Sequence, residues 1–219
     1  MTSPKATAEE LQAKRRDPEA TKADILRVAT DEFANNGFNG ARVDRIADDT
    51  ATTKRMIYYY FGSKQGLYIA ALEAAYVNFR VLEKTLNVDE MEPGEAIRKL
   101  AEFTYDHHLS HHDFIRLVQV ENINKVKYLK KSPRVKELQG AVISTLESIM
   151  KRGVEQGIFR SDIEPFDIHM AISALTVFPV GNQHTIKLIF GRDMLEKDYR
   201  PKYRKMVGDL IVDTVMRVD

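Results

Sequence analysis

Apolar residues recur along this chain at three- and four-residue spacing, and the polar stretches between them carry helix caps and breakers. That pattern predicts helices. Asp17-Pro18-Glu19 reads as a helix start: an acidic N-cap, proline at the first helical position, and an acid near the positive end of the helix dipole. Ile25, Ala29 and Phe33, with Leu26 beside them, form one apolar face, and Asn35-Asn36-Gly37 stops it. Phe38-Asn39-Gly40 reads as a turn. A short helix from Val43 to about Thr50 follows, with Val43, Ile46 and Ala47 inward, and Ala51-Thr52-Thr53 breaks it. Thr52 or Thr53 caps a further helix running to about Tyr60. Gly62-Ser63 marks another turn, and Ser63 caps a long helix that carries Leu67, Ala71, Val77 and Leu82 and fades near Asn87.

After Glu92-Pro93-Gly94 the spacing predicts a helix with Ile97, Leu100, Ala101 and Phe103. A helix from about Asp113 to Lys130 buries Phe114, Leu117, Val118 and Val126. Ser132-Pro133 starts the next, which reaches Gln156-Gly157. Pro165 starts a strongly apolar helix with Ile168, Ala171, Ile172, Leu175 and Val177, ended or kinked by Pro179 and Gly181. A short piece near Thr185 to Phe190 precedes a last helix, roughly Pro201 to Arg217, with Met206, Leu210, Ile211 and Val215 on its face. No strand, repeat or low-complexity segment stands out. The expected fold is all-α. One longer helix followed by two short ones joined by a tight turn is the outline of a three-helix helix-turn-helix unit. The expected division is an N-terminal arm over 1–16, that unit over 17–63, and a larger helical domain over 64–219.

Composition narrows the function classes. Of 219 residues 43% are hydrophobic, enough to bury a core. The chain has no cysteine, which excludes disulfides, zinc-thiolate sites and thiol nucleophiles and fits a cytoplasmic location. The N-terminus is polar and charged rather than a secretory signal. The longest apolar run, Met170 to Val180, is too short to span a bilayer, so no membrane association is expected. Net charge is only +1, so any binding of nucleic acid rests on a local patch. Lys14-Arg15-Arg16 reads either as part of a solvated tail or as a basic arm.

The local patch is Thr52 to Lys64, a segment with three adjacent tyrosines, basic residues on both sides and no acid. Successive helix residues point about 100° apart, so Tyr58, Tyr59 and Tyr60 cannot all face one core. Tyrosine hydroxyls and lysine ammoniums donate to phosphate. Thr53, Lys54 and Arg55, at the start of this helix, are candidates to read base edges. Arg42 and Arg45 extend the charge, and Lys64 adds the amide donors of a helix N-terminus. The alternative is solvated surface for Lys54 and Arg55 and a packing role for the rings of Tyr58 and Tyr60.

Ile25-Leu26 through Phe33, Gly37-Phe38, Val43, Ile46-Ala47 and Ile57-Tyr58-Tyr59-Tyr60-Phe61-Gly62-Ser63-Lys64-Gln65-Gly66-Leu67 resemble the N-terminal domain of tetracycline-repressor (TetR-like) transcriptional regulators. Gly153 to Arg160, with Asp162 and Pro165, is similar to the ligand-binding half of that family, more weakly. The resemblance implies a homodimer, joined through its two C-terminal helices, that binds double-stranded operator DNA and lets go when a small organic effector occupies the C-terminal domain. It makes the Thr53–Tyr60 helix the recognition helix and Lys64 a phosphate contact. Two positions depart from the family pattern. Ala51 stands where the turn usually has glycine, so the turn must avoid a left-handed angle or tolerate strain. Ala41-Arg42 stand where threonine or serine often caps the second helix.

Candidate effector residues are Phe103, His107, Phe114, Leu117, Met150, Phe178 and His184, with Asn182 and Gln183 as polar additions. Ile172, Thr176, Met206, Leu210, Thr214 and Val215 are expected at the dimer interface. The cluster His107-His108-Leu109-Ser110-His111-His112 has two readings. Its i,i+4 pairs suit a metal, with Asp106, Asp113 or Glu121 adding a carboxylate. Alternatively the helix breaks there, and the histidines line a loop or pocket that binds an anionic or aromatic effector. A helical metalloenzyme is therefore the rival class, although neither His169 nor His184 has a Glu three residues before it. No P-loop, Rossmann glycine pattern or nucleophile elbow is present, so no cofactor is expected.

Overall fold

The computed structural model describes residues 17–217; the basic cluster at Lys14-Arg15-Arg16 and the expected arm lie outside them. Ten α-helices follow one another among the described residues: α1 (Pro18–Gly40), α2 (Val43–Asp49), α3 (Lys54–Phe61), α4 (Lys64–Lys84), α5 (Pro93–Ser110), α6 (His112–Ile123), α7 (Pro133–Glu155), α8 (Pro165–Gly181), α9 (Gln183–Phe190) and α10 (Tyr199–Val215). Short 3-10 turns at Val88–Glu90 and Leu129–Lys131 join α4 to α5 and α6 to α7. The chain divides into two compact units between Ala71 and Leu72, inside α4.

The first unit is set by its caps. The Asp17 carboxylate accepts from Glu19 N–H at 3.0 Å, with Pro18 opening α1. Gly37, at φ 63°, interrupts the right-handed path near the end of α1, a conformation that costs glycine nothing. α2 has no side-chain cap at Arg42. The buried Glu32 carboxylate of α1 accepts the N–H of Arg42 itself at 2.9 Å, the contact that the acidic member of a capping box makes, and so fixes the start of α2. Ala51 takes the left-handed angle, φ 47°, so the turn keeps the shape glycine would allow and carries the strain of a Cβ there. Of the two cap candidates Thr53 is the one used, its Oγ1 accepting Met56 N–H at 3.2 Å, and Ser63 Oγ accepts Gly66 N–H at 3.0 Å. Ile25, Ala29, Phe33, Ile46, Ile57, Leu67 and Tyr68 are fully buried. Tyr68 meets Phe33 edge-on at 4.8 Å and Phe38 at 5.4 Å between ring centres.

In the second unit α5, α7, α8 and α10 share one core, built around Ile97, Leu100, Ile149, Met150, Ile168, Ile172, Val207 and Ile211. A second cluster joins Tyr105 and Leu109 of α5, Phe114 and Ile115 of α6 and Val180 of α8. Beyond the helices, an isolated antiparallel bridge pairs Phe159 with Met216 and ties the end of α10 to the chain after α7.

Two expectations need correction. α6 ends at Ile123, not near Lys130, because Lys125 and Val126 have φ of 55° and 49°, which no right-handed helix accommodates. Val126 is consequently exposed. The buried Glu121 carboxylate holds the chain in this bend by accepting Tyr128 N–H at 3.1 Å and Leu129 N–H at 2.8 Å. As expected, the helix from Pro165 ends at Gly181, with Pro179 inside its last turn. Ile172, Thr176 and Val215, expected at a dimer interface, lie in the interior of the chain and are not surface residues. The outward faces of the helices expected there carry Phe166, Met170 and Phe178 on α8 and Met206 and Leu210 on α10, with Thr214 also exposed.

Candidate nucleic-acid interface and ligand cavity

α3 has one anchored side and one open side. Ile57 is fully buried, and because neighbours on a helix diverge by about 100°, Lys54, Arg55, Met56, Tyr58 and Tyr59 face outward. Tyr59 is 78% exposed, and Tyr60, half-buried, meets it edge-on at 5.4 Å between ring centres. Lys22 of α1 lies 5.6 Å over the Tyr60 ring. Arg42, Arg45, Thr53, Lys54, Arg55, Tyr58 and Tyr59 are all exposed, and Lys64 is half-buried. Lys64 Nζ donates to Asn39 O at 3.4 Å and sits 5.1 Å over the Phe38 ring.

The charges on this face are not equally available. Lys54 pairs with Asp44 at 2.9 Å, and the carboxylate beside it raises its pKa while Asp44's is lowered. Arg45 lies 3.7 Å from Glu32 and 3.8 Å from Asp49. Arg42, Arg55 and Lys64 form no ion pair among the described residues. For Lys54 or Arg45 to reach phosphate it must leave a carboxylate, which offsets part of the gain.

The second unit encloses a cavity of about 230 Å³. α4 contributes Tyr76, Phe79, Arg80 and Glu83; α5 contributes Leu100, Thr104 and His108; α6 contributes Phe114, Ile115 and Val118. Leu146 of α7 and His169, Ile172, Ser173 and Val177 of α8 complete the wall. Tyr76 and Phe114 meet edge-on at 5.1 Å, and Phe79 lies nearly parallel to Phe114 at 6.5 Å. Arg80 and Glu83 form an ion pair one helical turn apart, and Cζ of Arg80 rests 4.6 Å over the Phe79 ring. Burial lowers the Arg80 pKa and raises that of Glu83, against their mutual attraction. His108 Nδ1 is 3.0 Å from Thr176 Oγ1. Burial first, then the nearby His169 and Arg80, push His108 down to about 4; burial and Arg80 also lower His169.

Of the seven residues expected to contact an effector, only Phe114 lines this cavity. Phe103 and His107 pack around Phe79, which does line it, at 5.9 and 4.7 Å between ring centres. Leu117 and Met150 are core residues. Phe178 is 62% exposed at a shallow surface depression, and His184 lies outside, 3.2 Å from Arg116. Asn182 and Gln183 bond the α8 carbonyls of Phe178 and Val180. The face missed in the sequence, Tyr76-Phe79-Arg80-Glu83, does carry a signal: its spacing of i, i+3, i+4, i+7 puts charges on an otherwise apolar helix face.

The histidine cluster is split by the end of α5 at Ser110 and the start of α6 at His112, so His108 and His112 do not share a helix. His107 stacks on His111 at 4.1 Å, and both its ring nitrogens are buried without a hydrogen-bond partner among the described residues. Glu121 is committed to the two N–H groups after α6. No group of three or more His, Asp or Glu able to hold a metal occurs among the described residues. No helix among them is long and apolar enough to cross a membrane.

Comparison with known proteins agrees with both units. Residues 25–71 match the family described as bacterial regulatory proteins, tetR family, and residues 93–211 match the tetracyclin repressor-like C-terminal domain. The HTH-type transcriptional repressor NicS of Pseudomonas putida is 32% identical over 197 residues, covering 90% of this chain and 93% of that protein. The HTH-type transcriptional regulator RutR of Escherichia coli K12 is 25% identical over 199 residues, covering 90% of this chain and 82% of that one. Among solved structures, the TetR family transcriptional regulator PfmR of Thermus thermophilus shares the fold, with a TM-score of 0.64 at 22% identity over 89% of this chain and 96% of that one.

Proposed function

Because the chain belongs to the TetR family of bacterial regulatory proteins, we propose that it is a ligand-responsive transcriptional repressor, held on operator DNA by the α3 face and released by a small molecule in the cavity. It is a DNA-binding transcriptional regulator and not an enzyme, as its family and relatives are. The metalloenzyme alternative has nothing to support it, since the histidine cluster is divided between two helices.

The observation that carries the DNA reading is the exposure of Arg55, Tyr58 and Tyr59 on a helix anchored by the buried Ile57. Tyrosine hydroxyls, with Arg42, Arg55 and Lys64, bind phosphate and release counterions, while Thr53, Lys54 and Arg55 at the start of α3 reach for base edges. The release step rests on α4. It begins at Lys64, and four residues of its later turns line the cavity. A ligand that favours one setting of α4 biases DNA affinity through the same helix, and tight binding to both settings would bias nothing. In a dimer the recognition helices address half-sites about 34–36 Å apart, so a small change in their spacing is enough.

The test is selection of bound fragments from the source genome with purified protein, followed by a salt titration. Lys64→Ala is expected to weaken binding to every sequence alike and to reduce the slope of log K against log salt by about one. A changed sequence preference with an unchanged slope removes Lys64 from the phosphate contacts. Failure to retain any duplex at low ionic strength overturns the reading.

A further inference from the structure

We infer that the effector is a small organic anion with a planar apolar body, its carboxylate held by Arg80 and its ring lodged among Tyr76, Phe79 and Phe114. The inference rests on the cavity being the effector site. An apolar cavity of about 150 Å³ holds benzene, so 230 Å³ admits one ring with a polar substituent and little more. The aromatic walls fix the shape. Phe79 and Phe114 are nearly parallel, and Tyr76 stands edge-on to Phe114, which is the setting a flat ring extends by offset or edge-to-face packing.

The charge follows from Arg80. A guanidinium has five N–H donors in a rigid fork. Here a single nitrogen, Nη1, meets a single carboxylate oxygen of Glu83, and the guanidinium lies against the Phe79 face. The ion pair thus orients Arg80 without filling its fork. A carboxylate offered to the remaining N–H groups forms the two parallel, charge-assisted bonds that the one-point contact with Glu83 lacks. Arg80 also contributes to lowering both cavity histidines, after burial for His169 and after burial and His169 for His108, so its charge is felt across the cavity. His108, His169 and Ser173 stand around the same space as further groups for a polar substituent.

The full chain is titrated calorimetrically with four probes: benzoate, benzamide and benzylamine, which are similar in size, and benzene, the bare ring. Benzoate is expected to bind about tenfold to a hundredfold more tightly than the other three, the ratio a charge-assisted pair contributes. Arg80→Gln alone strands a buried Glu83, so the informative variant is the double change Arg80→Gln with Glu83→Gln, which keeps a polar pair of similar size. It is expected to bind benzoate and benzamide equally. Benzamide, benzylamine or benzene binding the wild type as tightly as benzoate overturns the anion assignment and leaves the cavity reading standing, as does a double variant that retains the benzoate preference. If none of the four binds, the cavity reading fails and this inference with it.

Discussion

Ala51 accepts a left-handed backbone angle, φ 47°, that costs a residue with a Cβ roughly 1–2 kcal/mol. Its side chain is exposed, so nothing in the packing requires the methyl group. Glycine relieves that strain but loses about 0.4–1 kcal/mol through its freer unfolded chain. Ala51→Gly is therefore expected to stabilise the protein by about 0.5–1 kcal/mol, read as a higher urea midpoint at unchanged slope. A lower midpoint means that the turn is not strained. Arg42 is the counterpart. The sequence signals that its side chain cannot cap α2, but only the fold reveals that Glu32, ten residues back on α1, holds its N–H. A carboxylate at that distance is invisible to local spacing.

At the scale of elements, α8 and α10 each have a buried and an exposed apolar side. Phe166, Met170 and Phe178 recur at intervals of four or eight on the outer side of α8, and Ile168, Ile172 and Thr176 at intervals of four on the inner side. α10 presents Met206 and Leu210 outward, and Leu188, Ile189 and Phe190 of α9 are exposed as well. Leaving so many large apolar groups in water is unfavourable by roughly 25 cal/mol per Å². A second copy of the chain is our proposed cover. Met206→Glu with Leu210→Glu is expected to shift sedimentation equilibrium from dimer toward monomer while helical circular dichroism persists. An unchanged dimer moves the interface to other residues. The sequence could not divide the interface residues from the core ones here, since α8 is apolar on more than one side and periodicity alone does not say which side is covered.

For the whole molecule, the buried histidines set the response to acid. Burial, then the neighbouring His111, holds His107 down to about 3, and burial with His169 and Arg80 holds His108 at about 4. Unfolded, each titrates near 6.5. Below that pH the unfolded chain takes up protons that the folded chain refuses, so stability falls as pH drops from about 6.5 toward these folded values. Above 6.5 both states are neutral and the effect vanishes. The slope approaches about 1.4 kcal/mol per pH unit for each histidine. Urea unfolding at pH 7.5 and 5.5 is expected to show this loss, and His107→Leu is expected to lose less over the same interval. An equal loss in the variant means that His107 is protonated in the folded protein.

What the amino-acid order determined is what travels through neighbouring residues. Caps, breakers and apolar spacing gave the helices of the first unit and the outward turn of the tyrosines. The reason is that a buried Ile57 fixes the bearing of every residue within a turn of it. Tertiary structure alone decided the cavity and the availability of charge. Its wall draws on five helices, α4 to α8, and most of the residues expected there proved to be core or surface. Lys54 is tied to Asp44, ten residues away, and Arg45 to Glu32, thirteen away. Such pairings depend on where helices cross, and crossing is settled by the packing of whole faces rather than by local sequence.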